Sequence, residues 1–72
     1  MARKSKPWAV VVTCDNAARI RTEYTGEAKA YEAVRAERAA IDAGESRGIA
    51  IRVEKWESDR WVWFDQPYPW ES

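Results

Sequence analysis

The alternation of apolar and polar positions changes period twice along this chain. Trp8–Cys14, with Val10, Val11 and Val12 at its centre, and Arg19–Tyr24, which alternates Arg, Ile, Arg, Thr, Glu, Tyr, read as two strands. Asp15-Asn16-Ala17-Ala18 supplies the turn between them, since Asp and Asn side chains bond their own backbone there. Ile49–Phe64 repeats the period of two, with β-branched residues in its first arm, aromatics in its second and Ser58-Asp59 at the turn. Between the hairpins, Glu27–Ala43 is built almost entirely from good helix formers. Thr25 is placed to cap this helix, Glu27 suits its positive end, and Gly44 is placed to stop it before the return loop Glu45-Ser46-Arg47-Gly48.

The order strand, strand, helix, strand, strand predicts an α+β two-layer ββαββ sandwich, one helix packed on one face of a four-stranded, mainly antiparallel sheet. The helix stripe is Ala30, Val34 and Ile41, flanked by Ala33, Ala40 and Tyr31, with Glu37 intruding at an expected edge position. Such a stripe permits close approach but brings little apolar area, so the sheet must supply the bulk.

Turn length decides which side chains share a face. A two-residue turn at Ser58-Asp59 places Ile49, Ile51, Val53, Val62 and Phe64 on one side, and Arg52, Glu54, Trp56, Trp61 and Trp63 on the other. A turn centred on Asn16-Ala17 places Val11, Ile20, Thr22 and Tyr24 together, opposite Trp8, Val10, Val12, Arg19 and Arg21. A slip of one residue reverses a hairpin's faces. One helix covers one face, so the aliphatic side is expected to take it. The other side is left carrying Trp8, Trp56, Trp61 and Trp63 among arginines, more apolar surface than the roughly 300–600 Å² patch of a typical monomer.

Seventy-two residues form one domain, expected at residues 8–66 between a basic arm (1–7) and a Pro/aromatic tail (67–72). A chain of this size buries only about 60% of its unfolded surface and usually needs outside support. One cysteine, Cys14, permits no internal disulfide and suits a reducing, cytoplasmic setting; with no histidine, a metal or any other cofactor is not expected. Self-association remains. Twelve basic residues balance twelve acidic ones, so no global field draws the chain to nucleic acid, and no apolar run reaches the roughly 18 residues of a membrane span.

The absence of histidine also removes the commonest general base and every Ser-His or Cys-His arrangement, and three glycines form no phosphate loop. A non-enzyme is expected. The function expected is a small protein-contact module, homodimeric through its tryptophan face, with Trp8, Arg21, Arg52, Trp56, Trp61 and Trp63 at the interface. Small size also suits an accessory or inhibitory protein of the phage type. The alternative is single-stranded nucleic-acid binding by the same face, aided by Arg3-Lys4-Ser5-Lys6. A third reading has Tyr68 and Trp70 fold back over Trp61 and Trp63.

Overall fold

A computed structural model describes residues 5–68, in the order β1 (Trp8–Cys14), β2 (Arg19–Tyr24), α1 (Glu27–Asp42), β3 (Gly48–Glu57) and β4 (Arg60–Tyr68). The four strands form one antiparallel sheet of order β2-β1-β3-β4, and α1 lies on one face of it. This is the expected ββαββ sandwich. Arg3, Lys4 and Trp70, parts of the predicted arm and tail, lie outside the described residues.

The centre of the sheet sets everything else. Across β1 and β3, Val10 stands opposite Val53 and Val12 opposite Ile51. With Ala30 and Val34 of the helix, Val10, Ile51 and Val53 form the buried cluster; Ile51 and Val53 are its largest fully buried side chains. Ala30 is wholly buried, so α1 approaches as closely as its small stripe allows. Gly48 serves the same closeness: a Cβ there would meet Val12 Cγ1 at 3.0 Å and Ile41 Cδ1 at 3.2 Å.

The first hairpin corrects the expected faces. Val12 pairs with Ile20, Val10 with Thr22 and Trp8 with Tyr24, so Trp8, Val10 and Val12 face the helix, while Val11, Arg19 and Arg21 face away. The loop has three residues rather than two: Ala17 N–H bonds the Cys14 carbonyl at 2.9 Å, Cys14 N–H bonds the Ala18 carbonyl at 2.8 Å, and Ala17 takes φ 70°. That is a type I turn closed by a left-handed residue, here an alanine where glycine is usual. The left-handed alanine costs roughly 1–2 kcal/mol. In return Val10 enters the helix-side core and Val12 packs against it, worth roughly 1.5–3 kcal/mol for a side chain fully buried.

The second hairpin follows the sequence more closely. Ser58 and Asp59 both have positive φ (52° and 63°), a two-residue primed turn, and Glu57 pairs with Arg60, Trp56 with Trp61 and Glu54 with Trp63. Beyond that the register shifts, so Val53 meets Asp65, not Phe64, and Ile51 meets Tyr68. The displaced Phe64 remains 47% exposed and packs edge-on against Trp8 at 4.9 Å. Ile49, also expected inside, is exposed. Strand β4 runs through Pro67 to Tyr68, which packs against the helix-side core under Arg38 rather than over Trp61 and Trp63. Pro67 is admissible because β4 is an edge strand.

The helix ends differ in how far they follow expectation. Gly26, not Thr25, occupies the N-cap, without a side-chain cap bond. At the other end Gly44 at φ 75° bonds Ile41, and Glu45 N–H bonds the Ala40 carbonyl, the paired bonds of a Schellman closure. Glu37 is held across the loop by the Ser46 hydroxyl, whose oxygen also accepts the Gly48 N–H at 3.1 Å. Its intrusion into the stripe therefore fastens the α1–β3 connection.

Tyr31 ties α1 to β4 by donating its hydroxyl to Asp65 at 2.7 Å. Burial, and then this bond to a carboxylate, raise the Tyr31 pKa far above its ordinary 10.0. A phenol kept protonated in the fold contributes stability that is complete below about pH 10 and falls as pH rises further, since the unfolded chain then releases the proton first. Tyr31→Phe is expected to cost about 1 kcal/mol at neutral pH and to flatten the alkaline loss of stability. Urea titrations of both proteins from neutral to alkaline pH measure this.

Candidate functional site

The face turned away from α1 is built from alternate residues of all four strands. Strand β2 contributes Arg19, Arg21 and Glu23, β1 contributes Ala9, Val11 and Thr13, β3 contributes Arg52, Glu54 and Trp56, and β4 contributes Trp61 and Trp63. Five of the six residues expected at the interface thus share this face: Arg21, Arg52, Trp56, Trp61 and Trp63. Trp8 does not. It lies on the helix side between Phe64 and Lys55, whose ammonium sits 5.4 Å from its ring centre.

No helix covers this face, yet Ala9 and Val11 are buried at 0% and 4% exposure. Among the described residues, the cover comes from the face's own side chains. Arg21, on β2, donates from Nη2 to Glu54 Oε1 on β3 at 2.6 Å, and so must cross the intervening β1. The small Ala9 leaves room for that crossing. Arg52 Nη2 meets the other carboxylate oxygen at 3.2 Å, so one buried carboxylate is shared by two guanidinium groups. Arg52 Nε is itself buried without an acceptor among the described residues, which adds a desolvation cost at this point.

The aromatic residues complete the layer. Trp56 and Trp61 meet edge to face at 5.2 Å and 77°, and the Arg21 guanidinium lies 5.4 Å from the Trp61 ring centre. Both are half-buried. Trp63 stands 61% exposed beside Glu54, its cross-strand partner.

Sequence reasoning missed Glu54 as the hub. Its alternation with Arg52 places both on one face but does not single Glu54 out. Among the described residues, no group of three or more Cys, Asp or Glu side chains is placed to hold a metal. Cys14 is a half-buried free thiol. On the helix side, a 170 Å³ cleft opens between α1 and β2, with Val10, Val12 and Ile20 among its walls and Glu37 at its rim. No described helix is long and apolar enough to cross a membrane.

Compared with known proteins, the chain matches no family model, no curated protein and no solved structure. The physical content of the face must therefore carry the functional argument.

Glu54→Gln keeps the shape of the hub and removes its charge, leaving two guanidinium groups against a neutral amide. A loss of roughly 1–2 kcal/mol is expected, modest because both arginines are partly solvated. Denaturant unfolding checks this, and the difference from the parent should shrink at high salt.

Proposed function

We propose that this chain is a small binding module that works by protein contact without chemistry of its own, and that its first partner is a second copy joined face to face through Trp56, Trp61 and Trp63. Arg21 and Arg52 form the rim of the contact. The observation that carries this reading is Trp63, 61% exposed on a sheet face that no helix covers and next to a pre-organised Arg–Glu–Arg layer.

Exposed tryptophan beside fixed arginine is the composition of an interaction hot spot. Because Glu54 already holds both guanidinium groups, little ordering of long side chains remains to oppose association. The same satisfaction argues against phosphate as the ligand, since a nucleic-acid backbone has to compete with a carboxylate at 2.6 Å. A marginal 72-residue core also gains from any subunit contact that binds only the folded form.

Nucleic acid is the second reading, favoured by Arg19, which is exposed on the same face. Sedimentation at high micromolar concentration is expected to show self-association. Trp63→Glu should weaken it at least tenfold while far-UV circular dichroism stays unchanged. A parent chain that sediments as a clean monomer overturns the self-contact reading. Titration with single-stranded oligonucleotides at low salt is expected to leave tryptophan fluorescence nearly unchanged. Strong, salt-sensitive quenching would hand the face to nucleic acid.

A further inference from the structure

The two edges of the sheet are treated differently. Strand β4 is guarded by Pro67 and by two register shifts against β3, devices that spoil an edge as a template for further pairing. Strand β2 has neither: Arg19–Tyr24 is free of proline and pairs with β1 in unbroken register. The helix covers it only in part: Tyr24 packs against the core, but Ile20 does not. Ile20, on the helix side of β2, is 56% exposed and walls the cleft beside α1.

The phase of the strand follows from the bond between Cys14 N–H and the Ala18 carbonyl. Antiparallel pairs alternate between bonded and non-bonded, so Ile20, Thr22 and Tyr24 turn their backbone groups toward β1. Arg19, Arg21 and Glu23 turn theirs outward, away from the sheet.

We infer that β2 pairs antiparallel with β2 of a second copy, about a two-fold axis passing beside Thr22. This register sets Ile20 against the partner's Tyr24, Arg21 against the partner's Glu23, and Thr22 against the partner's Thr22. Apolar meets apolar on the helix side, and opposite charges meet on the tryptophan side. Arg21 and Glu23 exchange backbone bonds with their counterparts, four across the axis. A register centred on Arg21 is excluded because it sets Arg21 against itself. The product is one eight-stranded sheet, with both helices on one side and both tryptophan faces side by side on the other.

This contact is separate from the face-to-face contact proposed above and shares only Arg21 with it, whose backbone rather than guanidinium forms the edge pairing. It is therefore tested in the Trp63→Glu background, where the face contact is removed. There association through the face is lost, the edge contact alone is expected to leave a dimer, and Thr22→Lys, which sets two like charges across the axis at an exposed position, is expected to raise that dimer's dissociation constant at least tenfold with unchanged circular dichroism. Register is read with Thr22→Cys in a Cys14→Ser background. Mild oxidation should give a covalent dimer from Thr22→Cys and little from Ile20→Cys, whose counterpart lies across from Tyr24. A monomeric Trp63→Glu chain, a dimer indifferent to Thr22→Lys, or cross-linking through position 20 in preference to 22 each overturns the proposal. Because Trp63→Glu alone reports on the face and Thr22→Lys on the edge, failure of one reading is distinguishable from failure of the other.

Discussion

A single alanine-rich helix cannot cover a four-stranded sheet, and most of this molecule's surface follows from that constraint. Helix α1 comes close because Ala30 and Gly48 allow it, and it seals the line where Val10 meets Val53 and Val12 meets Ile51. It reaches neither the opposite face nor the outer margin of β2. The opposite face answers with its own side chains, Arg21 laid across β1 to Glu54 and tryptophans closing the far end. A charged layer of this kind excludes water from Ala9 and Val11 without supplying the dispersion and packing of a second apolar core.

The helix and the second hairpin were legible because their signals are local. A run of helix formers ending at Gly44, and a turn at Ser58-Asp59 between alternating arms, each specify one arrangement. The first hairpin was not legible. Its parity depends on Ala17 adopting a left-handed conformation that alanine does not announce, and the preference comes from β3, which offers Val53 and Ile51 to Val10 and Val12. That non-local pairing is what moved Trp8 off the tryptophan face. The register shift beside Phe64 is similar, since no glycine or proline marks it.

The candidate site was legible in its aromatic half and hidden in its electrostatic half. Alternation alone puts Trp56, Trp61 and Trp63 together. That Glu54 unites arginines from β2 and β3 requires knowing that β1 lies between those strands, and strand order is not written in any local period. Arg21 and Arg52 are therefore fixed on one carboxylate rather than loose cations.

The strand order also bears on how the chain reaches this state. Strand β1, which precedes the other described strands, lies in the interior of the sheet, and Trp8 pairs with Lys55 far along the chain. Closing that pairing demands that a long intervening segment be ordered first, which slows folding. Until β3 emerges, the nascent β1–β2 hairpin has Val10 and Val12 uncovered and the inner side of β1 unpaired. The order of the strands thus leaves the sheet's centre open until β3 is made, and the strand that is unpaired on its inner side until then is the one that ends most protected.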